Sequence, residues 1–200
     1  LVCITFSGHG SRVKDKSGDE KDGYDEVFLF YDRIVLDDEF NLLLSLFQPG
    51  VNIFLITDSC YSGTSSRKAA LEISTLIDED KHLFRGIESK IAQAVVENNK
   101  ALFIPLRKVV AVNTTREVQA SVIHLAACQD DQQAWDGSIT MKNGGFTTFF
   151  LKAWDQGKFQ GTYRSLFKEI SDSIGIIQSP NYSTLGPDDE RFELSQPLTF

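Results

Sequence analysis

Three short and almost uninterrupted apolar runs, Leu1 to Phe6, Val51 to Thr57 and Ser121 to Ala127, constrain this chain more than any other feature. Each is bounded by turn residues and is short for a buried helix, so each predicts a strand. Apolar side chains at nearly every position imply a strand covered on both faces, which is the habit of parallel sheets. Parallel neighbours need a crossover, and the stretch from Asp37 to Phe47 supplies one. It opens with the acids Asp37, Asp38 and Glu39, continues in helix formers and stops at Pro49-Gly50. Further helices are predicted over His82 to Asn99, Gly145 to Gln156 and Thr162 to Ile174. Gln178 to Pro187 reads as a loop and Phe192 to Phe200 as a returning final strand. The segment 67–118, mixed in character and basic in places, intervenes between the second and third strands and is the least periodic part of the chain. Together these elements predict an α/β fold of one domain, an open sandwich whose mostly parallel central sheet has helices on both faces.

In such folds ligands meet the sheet at the carboxyl ends of its strands. Two small-residue turns stand there. Phe6-Ser7-Gly8-His9-Gly10 follows the first strand and Thr57-Asp58-Ser59-Cys60-Tyr61-Ser62-Gly63 follows the second. If the two strands are neighbours, an imidazole and a thiol share one edge of a cleft. A thiol is a modest nucleophile at neutral pH, and an imidazole that takes its proton turns it into a strong one. On this reading Cys60 is the nucleophile and His9 handles protons, with the backbone N–H groups of Gly10 and Cys60 as oxyanion donors. The competing readings are a buried inert thiol and an ordinary loop histidine. A tyrosine-phosphatase cradle is disfavoured, because six residues separate Cys60 from Arg67, one too many for that loop.

Composition narrows the partners. Residues of the apolar class make up 42% of 200, including fifteen Phe, which suffices for one core. A formal net charge of −8 argues against nucleic-acid binding, which wants a basic face, and favours basic partners or divalent cations. Three cysteines, Cys3, Cys60 and Cys128, do not make a disulfide framework, so a reducing, cytoplasmic setting is expected. Cys3 and Cys128 fall in strand patterns and are expected to be core thiols, and His124 a satisfied core histidine. No apolar run is long enough to span a bilayer, so no membrane role is expected. The abrupt start in a strand leads to the expectation that an upstream strand and helix belong to the fold, supplied as part of a longer chain or as a separate fragment that completes the sheet.

The acidic stretch from Asp15 to Glu26 has the length of an EF-hand loop but carries Ser17 and Glu20 where that loop needs an oxygen-rich acid and a glycine. Taken in order, Ser-Gly-His-Gly, the acidic Gly-Asp-Glu-Lys-Asp-Gly-Tyr-Asp-Glu loop, Leu-Asp-Asp-Glu, Asp-Ser-Cys-Tyr-Ser-Gly and Ala-Cys-Gln-Asp-Asp-Gln resemble the metacaspases, including the bacterial orthocaspases. The match runs from Phe6 to about Gln132. The resemblance implies a caspase-like three-layer sandwich and a cysteine endopeptidase with the dyad His9 and Cys60. It implies that Asp58 and Ser7 line the pocket for a basic side chain, so that protein or peptide substrates are cut after Arg or Lys. It also implies calcium at Asp25, Asp37 and Asp38, although Tyr61 and Arg67 stand where these enzymes usually carry a histidine and a further aspartate. Basic specificity meeting basic residues in the intervening segment implies self-cleavage at Arg67, Lys68, Arg107 or Lys108. The alternative is a catalytically silent caspase-like module that binds partners.

Overall fold

The computed structural model describes residues 1–15, 23–59, 87–113, 116–128, 143–175 and 178–199. The expected strands form as β1 (Val2–Ser7), β5 (Asn52–Asp58) and β6 (Ser121–Ala126). They lie in parallel, β1 against β5 and β5 against β6, with Val2 beside Ile53 and Asn52 beside Ser121. A fourth strand, β7 (Asn181–Leu185), closes the sheet antiparallel to β6, giving the order β1, β5, β6, β7.

Helices cover both faces, as a mostly parallel sheet requires. On one face α1 (Asp37–Leu44) buries Leu44 against Ile53, Leu55 and Val122, with Phe40 packed alongside. On the other lie α4 (Gly145–Trp154) and α5 (Tyr163–Ile174). Their Phe146, Phe150, Tyr163, Leu166 and Ile170 close over Phe54, Ile56, Ile123 and Leu125. Tyr163 stands edge-on to Phe54 with ring centroids 4.7 Å apart. α5 is apolar on one side only, and it starts where Thr162 and Ser165 cap each other's backbone N–H groups. Burying a large aromatic such as Phe54, fully shielded from water, contributes about 3 kcal/mol.

Between β1 and α1 the chain builds something that the apolar-run reading did not contain. β2 (Gly10–Lys14), β3 (Tyr24–Leu29) and β4 (Ile34–Leu36) form a separate antiparallel sheet in the order β2, β3, β4. These strands alternate or are very short, so no continuous run announces them. Their inner side chains Val13, Val27, Ile34 and Leu36 pack on Ala92, Val96 and Phe103. Those three come from two helices inside the stretch that looked least periodic, α2 (Ser89–Asn98), which lies within the helix expected over His82 to Asn99, and α3 (Lys100–Asn113), which was not expected. Pro105 sits within α3 and masked it, since an internal proline normally argues against a helix.

Three further expectations are corrected. The Gln178 to Pro187 stretch is not all loop: Asn181–Leu185 is β7, an edge strand in which Asn181 and Thr184 are exposed while Tyr182 packs against the core. Of the final strand expected over Phe192 to Phe200, the described residues 192–199 form no strand. α6 (Glu190–Leu194) takes its start, capped by the Asp189 carboxylate accepting from the Phe192 N–H at 3.0 Å. Cys3 is exposed rather than buried, because β1 stands at one edge of the sheet among the described residues and its Cys3, Thr5 and Ser7 side chains are left open. Cys128 and His124 match expectation. Cys128 is buried, and the half-buried His124 ring shares a 2.8 Å hydrogen bond through Nε2 with Thr57 Oγ1. No helix among the described residues is long and apolar enough to cross a membrane.

Candidate active site

The parallel register of β1 and β5 sets Ser7 beside Asp58, and the Gly8 N–H donates to the Asp58 carbonyl at 3.2 Å. Two residues past Ser7, His9 emerges exposed at the carboxyl end of β1. Its carbonyl accepts from the Leu29 N–H at 3.0 Å, which ties the turn to the antiparallel sheet. A side chain at Gly8 would meet the Phe6 ring at 3.0 Å, so a tight turn of this shape favours glycine. Gly10 is buried at the start of β2 opposite Phe28, and its carbonyl accepts from the Ile87 N–H at 3.1 Å. Register therefore brings Ser7, His9 and Asp58 to one end of the sheet. Cys60, Arg67 and Lys68 lie outside the described residues.

Asp58 is 1% exposed, although Ser7 beside it on the same face of the sheet is open. Its Oδ2 accepts two hydrogen bonds from Thr147, one from the backbone N–H at 3.0 Å and one from the hydroxyl at 2.5 Å. Thr147 sits in the first turn of α4, whose N-cap, Gly144, has no side chain to offer. Asp58 thus caps a helix from across the fold, and the helix dipole favours its negative charge. The sequence reading missed Thr147. The signal was present in Gly144-Gly145-Phe146-Thr147, a helix start without a capping side chain of its own. Behind the site the Cys128 thiol donates to the Ser59 carbonyl at 3.4 Å, and the buried Gln178 amide donates to the Ala127 carbonyl at 2.8 Å. The first contact holds Ser59, the residue before Cys60 in the chain, and the second holds the end of β6 beside it.

The acidic residues named for calcium gather elsewhere, where β3 meets the start of α1. Asp25 is 2% exposed, and its Oδ2 accepts from Arg107 Nη2 of α3 at 3.0 Å. Its Oδ1 has no hydrogen-bond partner among the described residues. Burial, opposed by Arg107 and reinforced by the charges of Asp37, Asp15 and Asp38, pushes the Asp25 carboxyl up to about 7. Burial likewise pushes Asp37 up to about 8, with Glu26 and Asp38 close by. One buried and two half-buried carboxyls beside one guanidinium form an oxygen-rich donor set that suits a hard divalent cation in chemistry. Among the described residues, however, no three acidic, histidine or cysteine side chains are grouped so as to hold an ion, and Arg107 already serves Asp25. Arg107 and Lys108 are consequently residues of a helix, not of an unstructured connection as expected.

Comparison with known proteins agrees with this architecture. The family model described as Caspase domain matches residues 1–189. Metacaspase-1 of Botryotinia fuckeliana is 30% identical over 208 residues, covering 91% of this chain and 49% of that protein. Metacaspase-1B of Neurospora crassa is 29% identical, covering 91% of this chain and 48% of that protein. The chain spans about half the length of the curated relatives it matches. A crystal structure of a protein from Geobacter sulfurreducens superposes with a TM-score of 0.78 at 32% identity, covering 98% of this chain and 70% of that one. With a mostly parallel sheet flanked by helices and a family match over nearly its whole length, the chain belongs to the caspase domain family and is metacaspase-like within it.

Proposed function

We propose that this chain carries a cysteine endopeptidase site that cuts after Arg or Lys. The observation that carries this reading is the register of Ser7 against Asp58, which puts a buried carboxylate, two residues before Cys60 in the chain, beside an exposed serine two residues before His9. In the proposed reaction His9 takes the Cys60 proton, and the sulfur attacks the carbonyl carbon while the Gly10 and Cys60 N–H groups receive the oxyanion. The imidazolium returns its proton to the leaving amine, which departs and leaves a thioester. Water then gives a proton to His9 and attacks the thioester, releasing the carboxylic acid and restoring the thiol. Asp58 selects the basic side chain by charge, reached past Ser7.

Calcium is proposed at Asp25, Asp37 and Asp38 only with Arg107 displaced and the three carboxyls drawn together, because as they stand they are not grouped so as to hold an ion. Asp25 Oδ1, without a hydrogen-bond partner among the described residues, supports this, and Arg107 is the internal cation it would have to displace. Self-cleavage is proposed at Arg67 and Lys68. At Arg107 and Lys108 it would require α3 to unwind, because a protease site accepts extended backbone.

The test is hydrolysis of fluorogenic peptides ending in Arg, Lys or Asp by wild type, Cys60→Ala and His9→Ala, with and without calcium. Turnover of the Arg and Lys peptides alone is expected, with the loss of either dyad member costing at least about 10³-fold. No turnover of any peptide in either condition would favour the silent interaction module. A Cys60→Ala protein that still fragments after purification would defeat self-cleavage.

A further inference from the structure

The pairing of Thr147 with Asp58 belongs to no part of the chemistry above, yet it reaches the pocket carboxylate's side chain from another element of the fold. α4 is fixed in rotation by Phe146, fully buried, and Phe150, nearly so, both inserted among Phe54, Ile56, Leu125 and their neighbours. With those two side chains locked, Thr147 on the same first turn is aimed at the end of β5. Its N–H and hydroxyl reach the same oxygen of Asp58, which sets the direction that the carboxylate faces. The hydroxyl has a second role open to it in most helices, bonding back to a carbonyl of its own chain, and its use here across 89 positions of sequence is therefore specific.

We propose that Thr147 is a positioning residue for substrate specificity: it holds Asp58 at the angle that a guanidinium, with its planar pair of donors, requires. The proposal rests on the peptidase reading. A carboxylate with a fixed plane favours the two-pronged guanidinium over the single-point ammonium of lysine, which tolerates a rotated partner. Thr147 touches neither the substrate nor the reacting atoms and acts only through Asp58.

The experiment compares wild type, Thr147→Val and Thr147→Ser on matched peptides ending in Arg and in Lys, with thermal melting of each variant alongside. Valine keeps the backbone N–H and the shape but removes the hydroxyl; serine keeps the hydroxyl. The expected result is that Thr147→Val raises KM for the Arg peptide about tenfold. Its kcat should stay near wild type, KM for the Lys peptide should move much less, and Thr147→Ser should restore the Arg preference. An Arg to Lys ratio unchanged in a folded Thr147→Val, or a ratio that serine fails to restore, overturns the proposal. If valine prevents folding, the serine variant together with Thr147→Ala decides the matter by the same ratio. Wild type that cuts neither peptide sinks this proposal and the peptidase reading together, whereas an active wild type with an unmoved ratio sinks this one alone.

Discussion

Two buried aspartates in this molecule are almost equally hidden from water and are held in opposite ways. Asp58, at the end of the parallel sheet, is met by the N–H and hydroxyl of Thr147, which are neutral dipoles. Asp25, inside the antiparallel sheet, is met by the full positive charge of Arg107. Neutral donors solvate a carboxylate without cancelling its charge. A guanidinium cancels it, and the pair becomes a cross-link between β3 and α3. The same residue type is suited to recognition in one region and to bracing in the other, and the difference lies in what faces it.

The largest test of that contrast is Arg107→Ala. Removing one partner of a mostly buried pair leaves the Asp25 carboxyl either charged and alone or forced to take up a proton, so unfolding by urea at about pH 8 should show a loss of about 4 kcal/mol. Terbium or calcium should bind the same variant more tightly than wild type, because the cation it would replace is gone. A loss near zero would mean that Arg107 braces nothing, and the distinction between the two regions would fail.

Next in size is a pH dependence of opposite sign in the two sheets. Burial lowers His124, on β6, to about 4 from an ordinary 6.5. The unfolded chain therefore takes up this proton first, and as pH falls from about 6.5 to 4 stability drops by up to about 3 kcal/mol. Asp25 and Asp37 behave in reverse. Their carboxyls are raised, so the unfolded chain releases protons first, and stability declines as pH rises from about 4 toward 7 or 8. Amide hydrogen exchange resolved by strand should show β6 loosening on the acid side and β3 toward neutrality. The same direction in both strands would break the comparison. The smallest effect is a control: Lys168→Ala removes an exposed pair with Asp172 on α5 and should cost only about 0.3 kcal/mol in the same urea titration.

The half of the fold legible in the sequence is the half built from continuous apolar runs. β1, β5 and β6 stand where Leu1 to Phe6, Val51 to Thr57 and Ser121 to Ala127 placed them, and α1, α4 and α5 follow their periodic stretches within a few residues. The antiparallel sheet was not legible, because β2 and β3 carry charged residues on strands that bury one face, and Ile34–Leu36 is too short to show a period. Neither was α3, where Pro105 contradicts the helix that Phe103 and Val110 anchor by burial. At the candidate site, Ser7, His9 and Asp58 were legible as residues in turns after strands. Thr147 was not, since it lies 89 positions from the carboxylate it serves.

From sequence alone came the choice of strands, the acid and hydroxyl at their ends and the family these motifs resemble, because local apolarity and turn chemistry are properties of neighbouring residues. Only the tertiary structure decided which charge each acid would face, because electrostatic partners are chosen by packing. The dense core beneath α4 turns Thr147 toward Asp58, and the small sheet packed on α2 and α3 brings Arg107 to Asp25.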